Sequence, residues 1–561
     1  MSLPEATWKR IMAEIQRHWP SAQAHWSRFL LLNDPDLSNK TESVAQIALS
    51  TRQITLNADL IAKHDLFDCI EALLAHEIGH HVRYPGTLVV EARMRMLQKS
   101  IIPLEGYSLT NVFQDLMINE YLGKGELQSQ MIRIYRAFTS APAFHAEMRW
   151  KRDPAFVFYM ALYETLWQLP MATLIGEIEP EFREAFPGYR AEAHILVHNL
   201  FMMEPNLYTQ FLYFTSVMSR YLKPMIDQQL QQWMACQCGG DGPSPGDWAD
   251  ALTPTDAERQ AIERAASAGW FEEDQAERLR KLNELEERIA SLPGYGTDNS
   301  AEIPEVMAAH YRGLAERYLV KPPLLPRYGE AIVPTTLEEW EHSDPISEID
   351  WLTTLMNRGP QLGVALPFKR MRVAEQEGYD VRLWQPRLEI YLDISGSMPN
   401  PIYHLNAMTL AAQILTLATT RAGGSVRVAM YSSEPVLYWS WCRSEIEMSR
   451  FLMHYIGGGT DFPFQLLARS CEECSPDNPI RIVISDSDFD QNFEAHPDNR
   501  GIFISAAENS AHWILLLHRP DPERVRLYKA LGADIISIDE MKDFPRLATR
   551  LSQALFPSDK E

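Results

Sequence analysis

Two histidines, His76 and His80, stand four positions apart in the run LFDCIEALLAHEIGHHV (66–82), with Glu77 between them. On a helix that spacing projects both imidazoles from one side. They can then grip one cation while the intervening carboxylate takes a proton from a water held there. Imidazole nitrogen suits Zn2+, and a catalytic zinc asks for a third protein ligand and leaves its fourth position to water. The candidate for that third ligand is Asp115 in NVFQDLMINEYL. Its neighbours Val112, Phe113, Leu116 and Met117 are apolar, and a carboxylate among them would otherwise be buried unpaired. Glu91 and Glu120 are the alternatives.

A second set of donors lies far down the chain. Asp393-Ile394-Ser395-Gly396-Ser397 puts a carboxylate and two hydroxyls on alternate residues. Gly457-Gly458-Gly459-Thr460-Asp461 adds a hydroxyl on a glycine loop, and Val483-Ile484-Ser485-Asp486 adds a carboxylate. Hard oxygen donors of this kind suit Mg2+, which prefers octahedral geometry. The five protein oxygens of Asp393, Ser395, Ser397, Thr460 and Asp486 leave one coordination position for a ligand from outside. Asp461, Asp488 and Asp490 read as solvated loop acids beside this set.

Weaker groupings accompany these two. His194 and His198 share the same spacing but have no acid between them, so packed histidines are the reading. The pairs Cys236/Cys238 and Cys471/Cys474 make a poor zinc site because Cys-x-Cys is atypical spacing. Six cysteines in 561 residues are too few for a disulfide scaffold, and Cys69 reads as a buried free thiol.

The elements that must position these residues fall into three textures. Up to about Leu230 the chain is dense in helical periodicity, and Ile70, Leu73, Leu74 and Ile78 form the apolar face of the helix that carries the histidine pair. Upstream, VAQIALSTRQITLNADLI is extended, with Gln53–Asn57 predicted as an edge strand beside that helix. CQCGGDGPSPGD (236–247) is a linker. DQAERLRKLNELEERIASL then carries the stripe Leu282, Leu285, Ile289 and Leu292, predicting a helix that lies against its own domain. From about Arg387, LEIYLD, SVRVAMYS, RIVIS, HWILLLH and ADIISI are strands separated by helices, which predicts a doubly wound α/β sheet whose ligands bind beyond the carboxyl ends of its strands. The expected domains are 1–235, a middle region 236–386 and 387–561.

Across roughly residues 387–555 the chain resembles the von Willebrand factor A (VWA) family. Its metal-ion-dependent adhesion site is built from D-x-S-x-S, a distant Thr and a distant Asp, and all five positions match. The resemblance implies that Ser395, Ser397 and Thr460 touch Mg2+, that Asp393 and Asp486 act directly or through water, and that a partner's carboxylate completes the shell. Ser487 stands where the family often has Gly. His76-Glu77-x-x-His80 is the H-E-x-x-H arrangement of zinc peptidases, in which an edge strand beside the helix pairs with substrate backbone. His81 after it resembles the HEIGHH-like stretch of bacterial zincins and serves packing or support.

The stretch around Asp115 resembles the third-ligand helix of bacterial VWA-like metallopeptidases, which carry an H-E-x-x-H domain ahead of a VWA domain. That resemblance makes Asn111 and Asn119 outer supports and a MoxR-type AAA+ ATPase the implied partner. The fold expected is therefore multidomain, a mainly α, zincin-like N-terminal domain followed by a doubly wound, Rossmann-like α/β VWA domain. The function expected is that of a zinc metallopeptidase with catalytic Glu77, the VWA domain docking a partner or substrate. The alternative is a non-catalytic adaptor of an AAA+ ATPase, chelatase-like or chaperone-like, with a structural or degenerate zinc site.

Composition bounds these readings. With 46% hydrophobic and 23% charged residues the chain is that of ordinary folded protein, long enough for several cores. A formal charge of −23 argues against nucleic acid, whose phosphates call for clustered Lys and Arg. The first residues lack the apolar run of a signal peptide and no stretch elsewhere reaches membrane-spanning length without charges, so a cytoplasmic location is expected.

Overall fold

The computed structural model describes residues 4–102, 108–139, 153–227, 242–296, 302–319, 333–334, 339–341, 343–358, 366–369, 373–374, 386–473 and 478–555. The chain divides into two compact units. One comprises Met1–Gly313 with the short segments Pro399–Asn406 and Met453–Tyr455; the other comprises Leu314–Met398, Ala407–Leu452 and Ile456–Glu561. Cys236, Cys238 and Cys474 lie outside the described residues, so the cysteine pairs stay a matter of sequence. Among the described residues no helix is long and apolar enough to cross a membrane.

The first unit is mainly helical. The helices that matter for its site are α1 (Glu5–Ala24), α2 (Ile70–Val82), α3 (Leu88–Ile101), α4 (Leu109–Leu122) and α5 (Pro154–Leu166). Their starts are set by side chains that satisfy first-turn amides: Thr87 accepts from the Val90 N–H, Ser108 from that of Asn111, and Asp153 from that of Phe156, with Pro154 at the first helical position of α5. Cys69 is a buried free thiol on the 3-10 turn that leads into α2. Burial pushes that thiol up to about 11, which keeps it protonated and unreactive.

Ile70, Leu73, Leu74 and Ile78 are buried as expected, and α4 is buried nearly all round, its polar Thr110, Asn111, Gln114, Asp115 and Asn119 included. A helix carrying that many buried polar groups must satisfy them internally.

A small sheet flanks α2. Its strands are β1 (Asp36–Ser38), β2 (Ala45–Ala48) and β3 (Gln53–Asn57), in the order β1-β3-β2. Gln53–Asn57 is thus the central strand, parallel to β1 and antiparallel to β2, and not the edge. Ile54 and Leu56 are fully buried, which suits a strand hydrogen-bonded on both sides. The edge strand packed against α2 is β2. The stripe Leu282, Leu285, Ile289 and Leu292 likewise does not ride on one helix: a turn separates the helices Glu273–Lys281 and Leu285–Ala290. Leu282, Ile289 and Leu292 still reach the interior, beside a buried Arg288–Glu258 ion pair at 2.7 Å.

The second unit is built on a six-stranded mixed sheet: β4 (Arg387–Asp393), β5 (Ser425–Tyr431), β6 (Pro435–Cys442), β7 (Ile480–Ser485), β8 (His512–His518) and β9 (Asp534–Ile538), in the order β9-β8-β7-β4-β5-β6. All neighbours are parallel except β5 and β6. Every residue of β5 and β7 is buried, as expected of strands covered on both faces. Helices α6 (Ala407–Arg421) and α7 (Phe544–Leu555) pack together, with α6 against β4. A separate aromatic cluster that includes Tyr391, Phe462, Phe489, Phe503 and Trp513 forms a second core.

The charges inside the sheet are paired: Glu389 accepts from Arg427 at 2.6 Å and from Arg481 at 2.9 Å, and the Arg427 guanidinium lies over Trp439 and Trp441. The chain winds from β4 outward to β5 in one direction and from β7 to β8 and β9 in the other. The reversal therefore falls between β4 and β7, where a crevice opens beyond the strand ends.

Candidate metal centres

On α2, His76 and His80 project toward Asp115 of α4. The Asp115 Oδ1 lies 3.5 Å from His76 Nε2 and 3.2 Å from His80 Nε2, and one donor atom from each of the three residues falls within 4.8 Å of the others. The far side of each ring is spoken for. His76 Nδ1 is 2.8 Å from Asn119 Oδ1, and His80 Nδ1 is 2.7 Å from the Tyr84 carbonyl oxygen. Asn119 is turned that way because its Nδ2 donates to the hydroxyls of Tyr135 and Tyr163 at 2.8 and 2.7 Å. Both partners of the Nδ1 atoms can only accept, so each Nδ1 carries a proton, and in the neutral rings both Nε2 lone pairs face the Asp115 carboxylate.

Two imidazole Nε2 atoms and a carboxylate in one buried place call for a positive charge between them. Burial pushes the His76 imidazolium down, but the Asp115 hydrogen bond and charge, with the Glu77 charge, outweigh it and carry His76 up to about 9. Burial would raise Asp115, yet its contacts with His76 and His80 hold it below the usual carboxylate range. A divalent cation answers the same demand with two charges. The donor set of two imidazoles and one carboxylate, each histidine fixed from behind by an acceptor, fits such an ion.

Glu77 is buried, 3% exposed, and burial raises its carboxyl above the ordinary value against the pull of His76 and His80. It accepts a backbone hydrogen bond from Ile47 of the edge strand β2, and its Oε2 is buried with no hydrogen-bond partner among the described residues. An orphaned buried carboxylate oxygen beside a cation site is where a water would be held. A pocket of about 410 Å3, its open mouth included, lies beside His80, lined by Ile47, Leu49, Pro85, Leu88 and Asn111 among others.

The other carboxylates are engaged elsewhere: Glu91 accepts from Thr110, Gln114 and Arg95, and Glu120 pairs with Lys124. His81 is half-buried outside the donor cluster. The helices α2 and α4 meet at Gly79, where a Cβ would fall 2.6 Å from Trp26 Cζ2 and 2.8 Å from Ile118 Cγ2. Trp26 itself is tied to α2 by an indole hydrogen bond to the Ala75 carbonyl at 2.7 Å.

In the second unit the oxygen donors gather at the winding reversal. Asp393 ends β4; its Oδ1 accepts from the Ser395 N–H at 2.9 Å and its Oδ2 from the Ser485 hydroxyl at 2.7 Å. Ser395 Oγ lies 3.0 Å from Ser397 Oγ, which donates to Asp486 Oδ2 at 3.0 Å. Burial and the Asp486 charge raise Asp393 against its serine hydrogen bonds. The glycine loop docks onto this group through Gly396 N–H to the Gly458 carbonyl at 2.9 Å, and the Gly459 N–H donates to Ser433 Oγ at 3.0 Å.

Asp393, Ser395, Ser397 and Asp486 thus form one connected group. Thr460 stands half-buried on the docked loop, without a hydrogen bond to those four among those described. Asp486 Oδ1 also accepts the Asp488 N–H at 2.9 Å, a local turn that Ser487 permits. Asp490 accepts from the Tyr528 hydroxyl at 2.6 Å, so it is no free loop acid, whereas Asp461 is exposed. His194 and His198 are both exposed, and among the described residues no third ligand joins them.

Sequence reasoning passed over several supports: the Tyr135 and Tyr163 hydroxyls behind Asn119, the Tyr84 carbonyl behind His80, Ile47 against Glu77, and Ser485 on Asp393. Only Ser485, next to Asp486 at a strand end, carried a local signal.

No protein-family profile matches the chain, and no curated protein matches it. Among solved structures it is similar to a von Willebrand factor type A protein from Catenulispora acidiphila, at 14% identity and TM-score 0.23, over 30% of this chain and 42% of that one. It is also similar to an aerotolerance-related membrane protein from Bacteroides fragilis (14% identity, TM-score 0.22, 30% and 99% covered) and to BatB from Bacteroides thetaiotaomicron (14%, 0.24, 30% and 98%).

Proposed function

We propose that the chain is a zinc-dependent metallopeptidase whose C-terminal unit, a VWA-type domain, docks a protein partner or substrate through Mg2+. The observation that carries the first half is the buried, unpartnered Glu77 Oε2 beside two imidazoles whose Nε2 atoms face one carboxylate. A structural site has no use for such an oxygen. His76, His80 and Asp115 hold the ion, and Zn2+ supplies Lewis-acid chemistry there. Glu77 takes a proton from water, and burial, by raising its carboxyl, makes it a stronger base than an exposed carboxylate. The edge strand β2, whose outer side carries no further strand and whose Ile47 N–H is held by Glu77, lies where an extended peptide would run, with the pocket beside His80 receiving a side chain.

In the C-terminal unit Asp393, Ser395, Ser397, Thr460 and Asp486 hold Mg2+ and leave a position for a partner's carboxylate. The partner proposed is a MoxR-type AAA+ ATPase, on the resemblance alone, and the compartment proposed is the cytoplasm.

The test is Glu77→Ala. Expected is a purified chain that keeps its zinc, by elemental analysis, while cleavage of a captured native partner is lost, by about 100-fold or more. A variant that stays fully functional in cells overturns the peptidase and favours a non-catalytic adaptor of the same ATPase.

A further inference from the structure

The pocket beside His80 has two kinds of lining. Ile47, Leu49, Pro85 and Leu88 make part of it apolar, while Glu91 and Arg95 of α3 and the first turns of α4 make the rest polar. One cavity thus joins a candidate metal ligand, His80, to the guanidinium of Arg95.

Glu91 and Arg95 lie one turn apart and form an ion pair at 2.7 Å, but its two ends are not equally available. Both Glu91 oxygens are engaged: Oε1 accepts from Arg95 Nε and from the Thr110 hydroxyl at 2.8 Å, and Oε2 accepts from Gln114. Arg95 spends only its Nε, and its two terminal nitrogens have no partner among the described residues. The Glu91 side chain is 9% exposed and that of Arg95 44%. An entering group therefore meets a cation with donors to spare, whose counter-ion is already covered.

A guanidinium keeps its charge at any physiological pH and offers a flat pair of donors that matches a carboxylate. A basic side chain would have to displace Thr110 or Gln114 to reach Glu91, and would set a second positive charge beside Arg95. The starts of α3 and α4, at Leu88 and at the cap Ser108, also border the pocket, and their positive ends add to a field that favours an anion.

We infer that this pocket selects an acidic side chain through Arg95, so that the substrate class is a peptide carrying Asp or Glu beside the bond held at His76, His80 and Asp115. This rests on the metallopeptidase reading of that site and adds to it the chemistry of the substrate. The methylenes of the entering side chain lie on the apolar lining, and its carboxylate takes the unspent nitrogens of Arg95. Arg95 has no hydrogen bond or ion pair with the three candidate ligands, so its replacement leaves them in place.

The test uses the full chain loaded with Co2+, whose visible absorption reports its ligands. The probes are the monohydroxamates of succinic, glutaric and adipic acid, each compared with its primary amide and with the matching amine. The hydroxamate takes the metal, and the length of the probe sets how far its other end reaches. At the best-fitting length the acid is expected to bind about 10-fold tighter than its amide, the gain of one charge-assisted pair at a part-exposed site. In Arg95→Gln that ratio is expected to fall to within about 2-fold, with Co2+ taken up as by the parent. No preference for the acid at any length, or a preference that persists in Arg95→Gln, overturns the role of Arg95. A parent that binds the amines tighter than the acids overturns it too, because that order belongs to Glu91. Should Arg95→Gln not fold, the parent's own order decides: acid before amide before amine supports the inference, and any other order overturns it. A parent that takes up no Co2+ overturns instead the metal-centre reading beneath it.

Discussion

The two donor clusters differ in what holds them. In the first unit the donors stand on helices and are largely buried, and each imidazole is pinned from behind by an oxygen that fixes its tautomer. In the second they stand on loops at strand ends, where Ser397 is exposed and Thr460 half-buried, and the serines and Asp486 bond chiefly to one another. A helical frame with buried supports organises the site before the cation arrives, which suits chemistry on a small reacting group. A loop frame at a crevice leaves one side open, which suits a ligand carried on another molecule. On the function proposed, the residues around the donors, more than the donors themselves, separate a reacting centre from a docking centre.

That contrast can be broken in four places. The largest effect is expected from His80→Ala. Zinc affinity should fall by well over about 100-fold, beyond the loss an outer support causes, and elemental analysis should find the zinc gone while Mg2+-dependent partner capture persists. Loss of both functions together would mean that the units are not independent. Next is Asp393→Ala, which should leave zinc content unchanged and reduce pull-down of the proposed ATPase partner in Mg2+ to the level seen with chelator; capture that survives removes the docking role.

Asn119→Ala sharpens the comparison, since it touches no ion. Zinc affinity should drop about 10- to 100-fold by competition with a chromophoric chelator, and an unchanged value would show that the backing bond to His76 does nothing.

The smallest effect is a pH dependence of the metal-free chain. His76 is raised from 6.5 to about 9, so its charged form is favoured in the fold; its contribution to stability is complete below pH 6.5 and is lost as pH rises through 9. In chelator, Tm should fall by a few degrees across that window, and Asp115→Asn should flatten the decline. A flat parent curve would show that the cluster does not hold that proton.

Much of the frame was legible in the sequence. The α2 face, the strands ending at Asp393 and Ser485, and the winding of the sheet follow from periodicity and turn chemistry that act locally. What stayed illegible depends on contacts distant in the chain. Apolar neighbours mark Asp115 as buried but cannot say which acid meets the histidines. That is decided by Glu91 being taken up by Thr110 and Gln114.

Short alternating strands look alike in sequence, so Gln53–Asn57 reads as an edge, and only pairing with Asp36–Ser38 makes it central. The strand Pro435–Cys442 went unseen since its residues are half-exposed and it runs antiparallel at the rim. The turn that splits 273–290 has no Gly or Pro to announce it.

Gly79 has a reach beyond its own turn. Ile118, which with Trp26 is what a methyl there would strike, rides on the same helix as Asp115 and sits three residues on, so a larger residue at 79 would press on the helix that carries the acid. The calibre of the cage is thereby governed from its outer wall, by a hydrogen atom no cation ever meets. Preference among ions of different radius becomes a matter of helix spacing, open to adjustment without exchanging a single ligand.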